Sequence, residues 1–263
     1  MILDKIVDNR KKRIAERKSQ TPLADIKRAV ENQTAPRDFA AALKRDTISL
    51  IAEVKRASPS KGLLHPNLVA SSLAQTYSQN GAAAISVLTE PDYFLGSFDD
   101  LEAAHADVGV PVLCKDFIID SYQIYEARSH GADAVLLIAA ILGRNELHAL
   151  MGAAHSLGMA ALVEVHNREE LMIALDVSPR IIGINNRNLA DFSVDLETTF
   201  SLRPLIPPNT VIVSESGIHT RDDVVSLQNA GVDAILVGEA LVTHPQPAAK
   251  IDELLGQIRH SAR

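Results

Sequence analysis

The chain has 263 residues, with 26 Lys and Arg against 33 Asp and Glu. The formal net charge of −7 argues against bulk affinity for nucleic acid or membrane surfaces, though not against a locally basic pocket for an anionic metabolite. Trp is absent and aromatics make up 4%, which disfavours a base-stacking surface, and the single cysteine, Cys114, excludes an internal disulfide and fits a reducing, cytoplasmic setting. A domain of this size buries roughly 70–75% of its unfolded surface without a disulfide or metal staple, and the longest apolar stretch, 134–142, is far short of the ~20 residues of a membrane span.

Residues 1–18 are basic (Lys5, the run 10–13, Arg17, Lys18) but include Asp4, Asp8 and Glu16 and lack the apolar core of a signal peptide. They read as an amphipathic helix with Ile2, Leu3, Ile6, Val7 and Ile14 on the inner face. Residues 1–47 as a whole read as two or three helices forming an N-terminal extension to a domain at 48–263. In that domain apolar runs recur at about 48–53, 83–88, 111–115, 134–139, 160–165, 181–184, 210–214 and 234–238. Amphipathic helical patterns separate them, at 67–79, 97–106, 121–129, 145–157, 168–175, 196–202 and 221–229, and a last one follows at 248–259. A short echo, Gly81-Ala-Ala-Ala-Ile85, Gly131-Ala-Asp-Ala-Val135 and Gly231-Val-Asp-Ala-Ile235, places a helix-ending glycine before three of the strands. Continuous apolar strands alternating with helices mean a parallel sheet covered by helices. Eight such units predict one closed (β/α)8 barrel, and no Gly-x-Gly-x-x-Gly follows the first strand to favour a dinucleotide-binding sheet.

Barrel chemistry sits at the C-terminal ends of the strands. Here those ends are polar: Glu53 and Lys55, Thr89-Glu90, Lys115-Asp116, Glu164, Asn185-Asn186-Arg187, Glu215-Ser216-Gly217 and Gly238-Glu239. Alternation puts Glu53 and Lys55 on the face of Ile51, Lys115 with Leu113 and away from Cys114, and Glu164 with Leu162. If these faces point inward, Glu53, Lys55, Lys115 and Glu164 converge on one cavity beneath the polar loop Ser58-Pro59-Ser60-Lys61-Gly62. Ser216-Gly217 and Gly238-Glu239 close the seventh and eighth strands, the usual phosphate cradle of this architecture. The nine histidines show no metal-ligand spacing, and His166 is expected on the phase opposite Glu164. No nucleophile motif or nucleotide P-loop is present. The residues alone therefore point to acid–base chemistry on a phosphorylated small molecule, with no metal ion and no cofactor.

The segments Ile51-Ala-Glu-Val-Lys-Arg-Ala-Ser-Pro-Ser-Lys-Gly62, Leu88-Thr-Glu-Pro-Asp-Tyr-Phe-Leu-Gly-Ser97, Leu113-Cys-Lys-Asp-Phe-Ile-Ile119, Leu162-Val-Glu-Val165, Ile182-Gly-Ile-Asn-Asn-Arg-Asn-Leu189 and Ser214-Glu-Ser-Gly-Ile218 resemble indole-3-glycerol phosphate synthases, in order along nearly the whole chain. Cys114 stands where many relatives carry a basic residue, on the helix-facing phase. The resemblance implies the indole-forming step of tryptophan biosynthesis. The substrate would be 1-(2-carboxyphenylamino)-1-deoxyribulose 5-phosphate, closed to a ring with loss of carbon dioxide and water. It implies Lys115 as general acid of ring closure and Glu164, Glu53 and Lys55 as the dehydration set, the division among them left open. Asn185, Arg187, Ser58 and Glu215 would hold the substrate, while Pro59, Phe94, Phe117 and Leu136 wall its aromatic ring. Ser216, Gly217, Gly238 and the backbone of Glu239 would hold the phosphate. The oligomeric state is expected to be monomer or weak homodimer. The competing readings are another phosphosugar barrel, such as an isomerase, and a catalytically silent metabolite-binding barrel; neither explains two lysines and two glutamates at these strand ends.

Overall fold

The computed structural model describes residues 2–257. Its centre is a closed parallel barrel of eight strands: β1 (Ser49–Val54), β4 (Ala84–Leu88), β5 (Val112–Lys115), β6 (Ala134–Ile138), β7 (Ala160–Val165), β8 (Ile181–Asn185), β9 (Val211–Glu215) and β10 (Ala234–Val237), with β1 pairing both β10 and β4 to close the ring. The strand boundaries expected from the apolar runs differ from these by one residue at most ends, because apolar character spills into the adjoining turns. Beside the barrel, β2 (Ala57–Ser58) and β3 (Gly62–Leu63) pair antiparallel, so the polar loop expected at 58–62 is the tip of a small hairpin.

Helices α4 (Ala70–Gln79), α5 (Phe98–Asp107), α6 (Ser121–Ser129), α7 (Arg144–Ser156), α8 (Arg168–Leu175), α9 (Glu197–Leu202) and α10 (Arg221–Asn229) cover the outside, and α11 (Glu239–Val242) and α12 (Pro247–Leu255) complete the ring. The expected final helix ran to Arg259; its residues beyond 257 lie outside the described residues. The alternation of each strand splits the core in two. Leu50, Ala52, Ile85, Val87, Cys114, Val135, Val163, Ile182, Ile212 and Ile235 face the helices. Ile51, Leu113, Leu136, Leu162, Ile181, Val211, Val213 and Leu236 fill the barrel. Each of these buried aliphatic side chains contributes roughly 1.5–3 kcal/mol, so the inward phase is fixed well before any charge is placed.

Among the described residues three helices precede the barrel: α1 (Ile2–Gln20), α2 (Leu23–Glu31) and α3 (Phe39–Leu43). Phe39, Ala40 and Leu43 pack with Ala84, Ala134 and Ala234 and plug the N-terminal end of the barrel. Helix α1 lies at the opposite, C-terminal mouth. Its inner face carries Leu3, Ile6 and Ile14 as expected, with Val7 half-buried, but also Arg10, only 2% exposed. Arg10 Nη2 bonds Asp116 Oδ2 at 2.8 Å, both side chains being almost fully buried. Arg13–Asp92, Arg17–Glu126 and Lys18–Asp120 extend this line of ion pairs along the helix.

Candidate active site

The mouth of the barrel opens into a cavity of about 420 Å³. All sixteen residues expected to form the site line it: Glu53, Lys55, Ser58, Pro59, Phe94, Lys115, Phe117, Leu136, Glu164, Asn185, Arg187, Glu215, Ser216, Gly217, Gly238 and Glu239. Ile2, Leu3 and Ile6 of α1 join the wall, a contribution invisible in sequence because it depends on where the extension docks.

Lys115 ends β5 two residues past Leu113, the last inward apolar residue of that strand. Its Nζ lies 2.8 Å from Glu215 Oε2 and 3.5 Å from Glu164 Oε2. Burial disfavours the ammonium, but Glu215, Glu164 and Glu53 together outweigh that cost and hold Lys115 above the ordinary lysine range. Burial likewise opposes ionisation of Glu164; Lys115 and His166 overcome it and hold this carboxyl below its ordinary value. Glu215 goes the other way: burial, reinforced by the charge on Glu164, outweighs Lys115 and pushes it up to about 7. Two carboxylates share one ammonium, and the second is the one that gives way. Glu215 Oε1 finds no protein donor although it is buried. The sequence reading placed Glu215 among substrate contacts; the structure puts it at the centre of the charged set, on the inward phase already marked by Val211 and Val213.

A second pair sits on β1 and its continuation, where Lys55 Nζ bonds Glu53 Oε2 at 2.6 Å. Glu53 lies against Gly238, where an added Cβ would come within 2.0 Å of Glu53 Oε2 and 3.1 Å of Lys55 Nζ. Gly183, within the segment 182–189, does the same for Glu215: a Cβ there would lie 2.4 Å from Oε1. Both strands need glycine so that a neighbouring strand's carboxylate can rest on the backbone.

The expectation that His166 lies on the phase opposite Glu164 is wrong. Two residues apart share a side, and His166 Nε2 sits 3.3 Å from Glu164 Oε1. The polar pair Thr89-Glu90 is structural. Glu90, fully buried, accepts from the backbone N–H of Asp92, Tyr93 and Phe94 and shapes the turn that presents Phe94. Thr89 bonds Asp116, which also accepts from Phe117 N. Phe94 and Phe117 pack together with ring centroids 6.0 Å apart, tilted by 39°, and form an apolar wall of the cavity. Asn186 is buried in a network with Ser214, Thr199 and the carbonyls of Glu215 and Ser216, tying the ends of β8 and β9 together.

Across the cavity Ser216 (φ 67°) and Gly217 (φ 77°) form a left-handed turn, and Ser216 Oγ donates to Asn185 Oδ1 at 2.9 Å. A serine in that region is strained by roughly 1–3 kcal/mol, a cost concentrated at binding and catalytic sites. Arg187 donates from Nη1 to the Phe192 carbonyl at the long distance of 3.4 Å. Lys61, at the hairpin tip, comes within 3.7 Å of Glu239 at the start of α11, linking the hairpin to the end of β10. One end of the cavity thus offers glycine-rich backbone and cations suited to an anion, the middle two carboxylates around a lysine, and another part an aromatic wall.

A family model described as indole-3-glycerol phosphate synthase matches residues 3–254. An indole-3-glycerol phosphate synthase of Dehalococcoides mccartyi is 50% identical over 260 residues, covering 97% of this chain and all of the relative. One from Roseiflexus sp. is 50% identical over 264 residues, covering 97% and 98%. Among solved structures, 3-hexulose-6-phosphate synthase from Salmonella typhimurium superimposes with a TM-score of 0.63 at 12% identity, over 80% of this chain and 97% of that one, a likeness of fold alone. With the matched span running through every barrel strand and every charged strand end, the chain belongs to the indole-3-glycerol phosphate synthase family.

Proposed function

We propose that this protein, a carboxy-lyase, converts 1-(2-carboxyphenylamino)-1-deoxyribulose 5-phosphate to indole-3-glycerol phosphate, releasing carbon dioxide and water. The observation that carries the reading is the Lys115 ammonium held between Glu215 and Glu164 in a cavity whose rim is aromatic on one side and glycine-rich on the other. Ring closure makes an alkoxide of the substrate ketone as the aromatic carbon attacks it. An ammonium stabilised by three carboxylates is a weak acid. The developing alkoxide is a stronger base than an amine, so proton transfer from Lys115 still runs downhill, and the positive charge stabilises the oxyanion before transfer.

Loss of carbon dioxide restores a neutral ring nitrogen, and dehydration then needs a base and an acid. Glu164, ionised and adjacent to Lys115, takes the proton; Lys55, bonded to Glu53 on the neighbouring wall, assists departure of hydroxide. Glu215, at the cavity wall beside Lys115, contributes to holding the substrate and the ammonium in register. Asn185, Arg187 and Ser58 contact the sugar and the anionic ring substituent, Pro59, Phe94, Phe117 and Leu136 enclose the ring, and backbone N–H groups at Ser216-Gly217 and Gly238-Glu239 hold the phosphate. Residues 1–47 serve as an extension whose first helix closes one side of the cavity; Ile2, Leu3 and Ile6 support this. The reading includes a cytoplasmic setting, which the lone free cysteine, Cys114, fits; no helix among the described residues is long and apolar enough to cross a membrane.

The test is incubation of the purified protein with the anilinodeoxyribulose phosphate while recording indole fluorescence. The chain contains no Trp, so product emission rises over a tyrosine-only background. A flat trace from folded protein at ample substrate refutes the reading.

A further inference from the structure

Strand β7 leaves the barrel through Glu164-Val165-His166-Asn167 and runs directly into α8. Asn167 caps that helix, its Oδ1 accepting from Glu170 N at 2.9 Å, while Glu170 Oε1 accepts from Asn167 Nδ2 at 2.7 Å. The other oxygen, Glu170 Oε2, accepts from His166 N at 2.8 Å and stands 2.9 Å from His166 Nδ1. The ring is thereby fixed, and its second nitrogen faces Glu164 Oε1 at 3.3 Å. The His166 side chain is only 7% exposed, and it stands behind Glu164, off the cavity wall.

Both ring nitrogens confront carboxylate oxygens. A neutral imidazole has one N–H and would set a lone pair against one of the two; only the imidazolium suits both. The Nε2 approach lacks hydrogen-bond geometry, so the contact with Glu164 is close-range charge attraction, the kind that holds a carboxylate ionised. The other groups facing Glu164 are Lys115 from β5 at 3.5 Å and Glu215 from β9, with Glu53, Lys55 and Arg187 further around the same cavity. Its partners in register on β6 and β8, Ile138 and Gly183, bring no charge. Glu164 therefore has two cations beside it, and the proposed chemistry removes the charge of one of them, Lys115, in its first step.

We infer that His166 is a positioning residue, an imidazolium clamped by Glu170 that keeps Glu164 charged and in place while Lys115 gives up its proton. The inference rests on the reading that Glu164 acts in the reaction. Burial opposes charge on His166, but Glu164 and Glu170 outweigh it and push the ring up to about 10.

Three variants and one spectrum test this. Glu164→Gln first checks the underlying reading: it abolishes turnover, and retained activity would remove both the reading and the inference. In the unsubstituted protein, long-range ¹H–¹⁵N spectra show both His166 nitrogens protonated from pH 6 to 8.5; a neutral tautomer at pH 7.5 overturns the inference while leaving Glu164 catalytic. His166→Asn raises the acid limb of the kcat profile by about one pH unit and lowers kcat with KM within about twofold, the shift expected for loss of one nearby opposite charge. Glu170→Gln keeps an acceptor for the His166 backbone N–H and leaves the backbone N–H that Asn167 caps, but removes the charge, so it serves where His166→Asn folds poorly; it moves the same limb the same way by less. A merely structural His166 would lower thermal stability in both variants and leave the limb where it is, and that result overturns the inference.

Discussion

Replacing Lys115 with Met removes the one ammonium placed between Glu164 and Glu215, and its consequences differ for rate and for stability. For rate, general acid catalysis is typically worth 10²–10⁴-fold. Oxyanion stabilisation is lost with it, so kcat falls at least about 10³-fold, while KM stays within about tenfold because phosphate and ring contacts are untouched. For stability, at an effective dielectric near 20 each ion pair at about 3 Å carries roughly 5 kcal/mol of attraction, and one-sided removal of a buried pair commonly costs about 3–5 kcal/mol. The cost is smaller here at neutral pH, since Glu215 already sits at about 7 and readily takes a proton, while Glu164 keeps His166. The sign follows. Without Lys115 the folded-state value of Glu215 rises further, and a carboxyl raised on folding gives stability at low pH that is lost as pH climbs toward the folded value. Relative to the unsubstituted protein, the variant's stability deficit is therefore small near pH 6 and grows by about 1.4 kcal/mol per pH unit above 7. Urea unfolding at pH 6, 7, 8 and 9 measures the deficit, and stopped indole-fluorescence assays measure kcat. Turnover above a tenth of the unsubstituted rate refutes Lys115 as the acid, and a pH-independent deficit refutes the shared-ammonium account of Glu215.

Gly183→Ala drives a methyl to within 2.4 Å of Glu215 Oε1 and 3.3 Å of Leu162. Overpacking costs about 1–3 kcal/mol, and displacing the carboxylate beside Lys115 lowers kcat about 10²-fold, measurable together by thermal unfolding and the fluorescence assay. Arg10→Ala strips Asp116 of its buried partner and destabilises the fold by about 3 kcal/mol; the double change Arg10→Met with Asp116→Leu recovers most of that, as chemical denaturation will show if α1 is held by charge rather than by shape. His166, pushed up to about 10 from 6.5, contributes stability fully present below pH 6.5 and lost as pH rises toward 10; the unfolding free-energy gap between the protein and His166→Asn should shrink over that window, and a constant gap refutes the charged ring.

The barrel and most of its site were legible because both follow from alternation. Ile51, Leu113 and Leu162 are fixed inside by burial, and Glu53, Lys115 and Glu164 follow two residues later on the same side. What failed were features set by partners distant in the chain. Arg10 reads as one of a run of solvated cations; its position between Ile6 and Ile14 on the inner face hints otherwise, but Asp116 lies 106 residues away and no spacing announces it. Gly183 reads as a small strand residue until Glu215 is seen resting on it. His166 is hard to place for another reason: alternation is not assured past a strand's end, yet β7 and α8 are joined without an intervening loop long enough to turn the ring away from Glu164.

The two glycines reveal one device used twice. Gly183 on β8 adjoins Glu215 on β9, and Gly238 at the end of β10 adjoins Glu53 on β1; each removes a Cβ where the neighbouring strand's carboxylate must lie. A buried carboxylate pressed against backbone gives up water on one side and must be charge-matched on the other. Lys115 meets Glu215 at 2.8 Å through Oε2, the oxygen away from Gly183, while Lys55 meets Glu53 at 2.6 Å through the same Oε2 that rests on Gly238. Glu164, with Ile138 and Gly183 as its in-register neighbours, is placed differently, against His166. On the proposed reading, two jobs divide among the three carboxylates: Glu53 and Glu215 seat the lysines, and Glu164, which also has His166 beside it, is the one to exchange a proton.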